Sequence, residues 1–332
     1  MDEAWYGNLA REAPWLDGLT FNRYYSSTRS ARHFIESVLR ASWLASGHGE
    51  SARAAHALRM LLPATPPAWL TEVGSSSNSG APIADSFADA LWYADALGAA
   101  AQAGLAVVCR QALVGGRYAL LRGNTEGVDP AITKPLRALP GFWVALLWRR
   151  LMGARVLAVH ALLSAPRSVP PQWAANCFAH SSLWPHPDCV RAATALASSG
   201  APPRLALPRL RAYVHCAANG AAARGAVALV LINLNTSYAT DASLTQLTDR
   251  EPWPMGGHRL EWDVWTPNVR SRQTRLGPDG TRLRLRPTER GAAALPAPRR
   301  VAMHASLQVR PHSILFVLLP EARAPACFAK RV

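Results

Sequence analysis

The sequence predicts an α/β portion followed by an all-β portion, and three observations carry that expectation. From residue 18 to about 152, short apolar strands alternate with helix-period stretches, the pattern of βα units and a parallel sheet or barrel. From residue 211 strands dominate, several strictly alternating, as in Leu260-Glu-Trp-Asp-Val-Trp265, which predicts an antiparallel β-sandwich or similar. Between them, residues 164–208 are Ala/Pro/Ser-rich without a clear period. That is too long for an ordinary loop and reads as an insertion or linker. The expected division is 1–163, 164–208 and 209–332.

Residues 3–12 predict a short helix, and Leu16-Asp17-Gly18 is a turn signal ahead of a strand over 18–25. A long helix over 30–45 would carry Phe34, Val38, Leu39 and Trp43 on one face. The polar stretch 46–51 predicts a turn before a second helix over 52–62. The proline-rich breaker 63–67 then leads to a very short strand, 68–71, ending in Glu72. Residues 74–80 are a Ser/Gly/Asn loop. Helix is expected again over 83–103, then a buried strand over 105–111, a turn at Gly115-Gly116 and a helix over 141–152. The stretch 90–109 comes nearest to a membrane span. Asp95, Gly98, Gln102 and Gly104 interrupt it, so it reads as an amphipathic helix followed by a buried strand. Strands are then expected over 211–216, 226–235, 259–266, 281–286, 304–309 and 313–319.

At 49% hydrophobic and 17% charged, the 332-residue chain can bury a core and is not disordered. Its net charge of +15 invites an anionic partner such as nucleic acid, a membrane surface or an acidic polysaccharide. Lys134 and Lys330 are the only lysines, however, and the arginines are scattered without a run of five or six. Excess Arg, Ala, Gly and Pro reads mainly as coding bias, and no nucleic-acid motif accompanies it. The first sixteen residues lack a charged-then-apolar pattern, so no signal peptide is expected in this chain.

Glu72 is the acid of most interest, because it closes an apolar strand and opens a glycine-rich loop. In a parallel barrel the C-terminal strand ends face the active site, where a held carboxylate serves as nucleophile or general acid. The same position also suits a loop carboxylate or helix cap. Arg110-Gln111 ends the next strand, and Gly115-Gly116-Arg117-Tyr118 permits a tight turn and close ligand approach. Tyr24-Tyr25 end the first strand, where aromatics pack more often than they bind. Cys109 is expected to be an inert core residue. Cys177, His180, His186 and Cys189 form C-x₂-H-x₅-H-x₂-C within the insertion. The x₅ gap departs from zinc-finger spacing, so a Cys177–Cys189 disulfide or no ordered role is preferred to a metal site. Asn235-Thr236-Ser237 is a glycosylation sequon, meaningful only in a secreted product.

Four segments carry a resemblance. They are Trp69-Leu-Thr-Glu-Val-Gly-Ser-Ser-Ser-Asn-Ser-Gly80, Ser86-Phe-Ala-Asp-Ala-Leu-Trp-Tyr-Ala-Asp-Ala-Leu-Gly98, Val108-Cys-Arg-Gln-Ala-Leu-Val-Gly-Gly-Arg-Tyr118 and Ala145-Leu-Leu-Trp-Arg-Arg-Leu-Met-Gly153. Together they resemble the heparanase family, glycoside hydrolase family 79. The Cys-Arg-Gln and Gly-Gly-X-Tyr forms are most similar to its plant-type heparanase-like β-glucuronidases. The resemblance covers roughly 13–163 and 209–327. It implies a retaining glycosidase that cleaves glucuronic-acid linkages, built as a (β/α)₈ TIM barrel with a β-sandwich. No cofactor is implied. Glu72 matches the nucleophile. Asn78, Ser79 and Gly80 match the loop that meets the uronate, and Gln111, Gly116 and Tyr118 line the same subsite. Tyr24 matches an active-site tyrosine. Cys216 and Cys327 match two cysteines that bridge the sandwich to the C-terminus, although two unrelated buried thiols fit the same residues.

Departures from the family pattern shape the expectation further. The acid/base glutamate of the family lies in Asn-Glu-Pro, and this sequence has no Asn-Glu dipeptide. Two positions often histidine in the family are Asn22 and Arg23, and the aromatic usual at Ser77 is missing. Residues 1–163 would supply about three of eight barrel strands, so the chain reads as the C-terminal part of a longer enzyme with little activity by itself. The alternative is a non-catalytic glycan-binding or decayed paralogue. Implied partners are an acidic polysaccharide or glucuronide and the missing N-terminal barrel half, with peripheral membrane association also admitted by the charge. The implied location is extracellular or lysosomal/vacuolar.

Overall fold

The computed structural model describes residues 8–60 except 10, 14 and 17, then 67–77, 82–123, 136–159, 209–242, 257–285, 294, 296–303 and 306–328. Cys177, His180, His186 and Cys189, read as a disulfide pair or as having no ordered role, and residues 78–80 lie outside these.

The first half builds a three-stranded parallel sheet from β1 (Leu19–Tyr24), β2 (Ala68–Gly74) and β3 (Val107–Arg110), in that order. Helices α1 (Ala31–Val38) and α2 (Ala41–Met60) connect β1 to β2, and α3 (Phe87–Gln102) connects β2 to β3. Ser30 caps α1 by accepting a hydrogen bond from the His33 amide, and Phe34, Ser37 and Val38 form its buried face. A short hairpin follows, β4 (Leu121–Arg122) with β5 (Arg137–Ala138), and then α4 (Pro140–Leu151). Pro140 opens α4, where its missing N–H costs nothing.

The second half is one eight-stranded antiparallel sheet. Its strands are β6 (Met152–Leu157), β7 (Leu210–Ala217), β8 (Val227–Asn233), β10 (His258–Trp265), β11 (Arg275–Leu276), β12 (Thr281–Arg282), β13 (Arg299–Ala302) and β15 (Ser313–Leu319). A separate pair, β9 (Thr240–Ala242) and β14 (Leu307–Val309), covers one of its faces. There Leu307 and Val309 pack on Val227, Leu229, Leu315 and Val317. The alternate residues Ala228, Val230, Ile314 and Phe316 face the other way, into the core that also contains α3 and α4. Strands β8 and β15 are therefore buried on both faces and read as continuous apolar runs. Cys216 at the end of β7 is joined by a disulfide to Cys327 near the C-terminus.

Several expectations change. The helix expected over 30–45 breaks at Leu39–Arg40, and α2 runs straight through the expected turn at 46–51. Gly47 resembles a breaker, but a Cβ there would come within 2.3 Å of the Tyr25 ring, so its role is close packing. Helix α3 is not amphipathic: residues 87–100 are all buried, because the helix lies between the parallel sheet and the antiparallel one. Strand β3, expected to be buried, is half-exposed. Cys109 is exposed, because this strand is the sheet's edge. Strand β6 lies before the expected boundary at 163 yet pairs with β7. The strand expected over 281–286 shortens to two residues. No helix among the described residues is long and apolar enough to cross a membrane.

Candidate active site

The C-terminal ends of the three parallel strands bring Asn22 and Tyr24, Glu72, and Arg110-Gln111 together. A register shift decides which way Glu72 points. Leu70 pairs with Phe21, but Glu72 pairs with Asn22, so Thr71 is an extra residue bulged out of β2. Phe21 and Asn22 are neighbours on β1 and point to opposite faces, so their partners Leu70 and Glu72 do the same. Leu70 is buried against the helices, and Glu72 turns to the face carrying Asn22 and Tyr24.

There the Tyr24 hydroxyl donates to Glu72 Oε1, and Asn22 Nδ2 donates to Glu72 Oε2 at 3.4 Å. Thr71 Oγ1 donates to Asn22 Oδ1 at 3.2 Å, which fixes the amide with its N–H₂ toward the carboxylate. Burial, and next the hydrogen bond to Glu72, push the Tyr24 phenol well above its ordinary range, so it stays protonated and donates. Gly74 permits this placement, because a Cβ there would come within 2.6 Å of the Tyr24 ring. Across from Tyr24 stands Tyr118, with ring centroids 6.4 Å apart.

Tyr118 sits on the arm returning from the Gly115-Gly116 turn, whose φ values of +90° and +68° suit glycine. Leu120 and Leu121 amides bond back to the Ala112 and Leu113 carbonyls, closing the turn as a narrow loop. Gln111 lies at its base, its amide bonded to the Val73 carbonyl at 3.1 Å. Behind the loop, the Arg110 guanidinium donates to the Tyr118 carbonyl from Nε and Nη2, and from Nη2 to Asp89 at 2.5 Å. Ser75 Oγ donates to the other oxygen of Asp89 at 2.5 Å.

Tyr24, Glu72, Gln111, Gly116 and Tyr118 thus gather at one end of the parallel sheet, while Asn78, Ser79 and Gly80 lie outside the described residues. Asn235 lies away from this end and is 5% exposed. Its Nδ2 donates to Thr240 Oγ1 at 3.4 Å, which argues against a glycan on it. Asn22 and Arg110 were missed as contributors by sequence reasoning. The signal available for Asn22 was its spacing of two from Tyr24 on one strand. The Glu50 and Asp89 carboxylates are engaged by Arg23 and Arg110. No group of His, Cys, Asp and Glu suited to a metal occurs among the described residues.

One carboxylate held by a phenol and an amide, on a face open to a ligand, is suited to nucleophilic attack on an electrophilic carbon. Residues 1–98 match the glycosyl hydrolase family 79 N-terminal domain. Heparanase-like protein 2 of Arabidopsis thaliana is 26% identical to 98% of this chain, over 54% of its own length. Baicalin-beta-D-glucuronidase of Scutellaria baicalensis is 38% identical over 27% of this chain and 15% of its own. In fold alone, an α-L-arabinofuranosidase from Thermotoga maritima is similar at TM-score 0.52 and 11% identity, covering 96% of this chain and 56% of that one. The chain spans about half the length of Heparanase-like protein 2.

Proposed function

We propose, from the match to glycoside hydrolase family 79 and to the heparanase-like proteins, that the chain forms the nucleophile side of a retaining β-glucuronidase site. Glu72 attacks the anomeric carbon of a glucuronide, the bond to the leaving oxygen breaks, and a glycosyl-enzyme ester forms that water then hydrolyses. Tyr24 and Asn22 hold the two Glu72 oxygens in position for attack. The observation that carries the reading is this hydrogen-bonded carboxylate at the C-terminal end of a parallel strand. On this reading the three parallel strands make up about three-eighths of a (β/α)₈ barrel. The other strands and the acid that protonates the leaving oxygen would come from polypeptide beyond the described residues. The Cys216–Cys327 disulfide supports an oxidising compartment, extracellular or lysosomal/vacuolar.

The test uses a substrate whose leaving group needs no proton. 2-Deoxy-2-fluoro-β-D-glucuronyl fluoride should esterify Glu72 of the 332-residue chain, adding one fluoroglucuronyl mass to the peptide that contains it. Glu72→Gln should abolish labelling. Tyr24→Phe should slow it about ten- to a hundredfold, the worth of one hydrogen bond to a charged group. Labelling elsewhere, or undiminished labelling of Glu72→Gln, would overturn the assignment. Unactivated alkyl glucuronides should not turn over, since general acid catalysis contributes about 10²–10⁴-fold. A second reading, glycan binding without catalysis, is favoured by the engagement of Glu50 and Asp89 by arginines. Saturable binding of glucuronate without any labelling would select it.

A further inference from the structure

We infer that Arg110 is a positioning residue that locks two loops of the glucuronide site to each other. The inference rests on the proposed glucuronidase reading. Its basis is a chain of contacts behind the site that runs through Ser75, Asp89 and Arg110 to the Tyr118 carbonyl. The loop after Glu72 supplies Ser75, which is fully buried and donates to one oxygen of Asp89. The other oxygen of Asp89 takes Arg110 Nη2. The same guanidinium holds the Tyr118 carbonyl at 2.9 Å and 3.2 Å. The guanidinium therefore links the loop that carries Tyr118, through Asp89 and Ser75, to the loop that follows the nucleophile.

The surroundings make this arrangement rigid. The Arg110 and Asp89 side chains are each 2% exposed. Arg110 lies over the Tyr93 and Trp92 rings, 4.7 Å and 5.4 Å from their centroids. Asp89 stands in the first turn of α3, where a carboxylate complements the helix dipole. Opposite this anchored framework, the tip of the Tyr118 loop is exposed, with Leu113 at 59% and Val114 at 40%. The loop's placement against Tyr24 thus depends on its base, and Arg110 is the side chain that grips the base. Lysine cannot substitute, because a point charge lacks the two-directional fork that meets a carbonyl and a carboxylate together. The physical consequence is on ligand binding: a loosened Tyr118 loop costs affinity for the sugar and leaves the Glu72 carboxylate with its own partners, Tyr24 and Asn22.

Inactivation by 2-deoxy-2-fluoro-β-D-glucuronyl fluoride separates the two effects into a half-saturation concentration and a limiting rate per folded site. In Arg110→Lys the half-saturation concentration should rise about ten- to a hundredfold, with the limiting rate changed less than about threefold. Ser75→Ala, which strands no buried charge, should raise it about three- to tenfold in the same sense. A merely structural role would lower the folded fraction without moving the half-saturation of the molecules that remain folded. Unchanged half-saturation in Ser75→Ala and in folded Arg110→Lys would overturn the inference, and Ser75→Ala alone decides it if the arginine variant does not fold. Failure of the unaltered chain to label at Glu72 would instead refute the glucuronidase reading.

Discussion

Substitution of Asp95 by alanine should be among the most damaging single changes to the stability of this chain. Asp95 lies on α3 with a fully buried side chain. Its Oδ1 accepts from Arg211 Nε at 3.0 Å and from the Tyr213 hydroxyl at 2.6 Å, and its Oδ2 accepts from His48 Nε2 at 3.0 Å. Arg211 and Tyr213 belong to β7, so this carboxylate fastens the antiparallel sheet to the helix that backs the parallel one. Removing it takes from the buried Arg211, whose side chain is 1% exposed, the carboxylate it pairs with at 3.0 Å. Breaking a buried pair by deleting one partner costs about 3–5 kcal/mol. That is a large share of the roughly 5–15 kcal/mol by which folded proteins are stable. Urea denaturation followed by circular dichroism should show Asp95→Ala losing about 4 kcal/mol. Arg211→Met should lose less, because Asp95 keeps the donors Tyr213 and His48. The double variant should lose at least about 1.5 kcal/mol less than the sum, because the two side chains are in direct contact and each single change already removes their ion pair. A loss below about 1.5 kcal/mol in Asp95→Ala, or strict additivity, would refute the reasoning.

Gly98→Ala should destabilise by roughly 1–3 kcal/mol in the same denaturation assay, since the new Cβ would meet the Tyr213 ring at 2.3 Å. Helix propensity alone forecasts a gain of about 1 kcal/mol, so the sign of the change decides between packing and propensity. Stability should fall as pH drops below about 6.5, the ordinary histidine value, by up to about 1.4 kcal/mol per pH unit per group. Burial holds His48, His215 and His312 below their ordinary range, so these histidines take up protons in the unfolded chain first. Asp95 is held far below the ordinary carboxylate range, chiefly by Arg211 against the opposing effect of burial. Its contribution is therefore complete above about pH 4 and lost only in stronger acid. A flat urea midpoint between pH 7 and 5 would contradict the histidine argument, and His48→Gln should reduce the slope. Cys327→Ala should cost about 2–5 kcal/mol under oxidising conditions, because the disulfide closes a loop of 111 residues. Equal melting temperatures for the variant and the unaltered chain would count against this.

Local pattern carried much of the fold. The strands at 18–25 and 313–319 and the helix at 141–152 emerge within a few residues of their expected ends, because their apolar spacing matches the faces they bury. Expectation failed where a long-range partner set the outcome. Gly47 sits inside α2 because the Tyr25 ring rests on it, and Cys109 is exposed because its strand ends a sheet. The amphipathic reading of 90–109 puts Asp95 on a polar side of α3. Asp95 is buried because Arg211 and Tyr213, more than a hundred residues away, supply its donors.

The candidate site divides in the same way. Glu72, Tyr24 and Gln111 were legible as residue types at the ends of predicted strands and Tyr118 beside a glycine turn, since that information lies in a few contiguous positions. Strict alternation from Leu70 would have turned Glu72 into the helix layer. Only the pairing with β1, which extrudes Thr71, aims it at Tyr24. Arg110, Asp89 and Ser75 come from three separate segments and meet only once α3 is packed beneath the sheet. The sequence by itself determined the strands, the helices and the carboxylate, because those depend on periodicity and residue chemistry along the chain. Tertiary structure decided which face the carboxylate occupies and what holds its neighbours, because strand register and buried charge pairing depend on groups far apart in sequence.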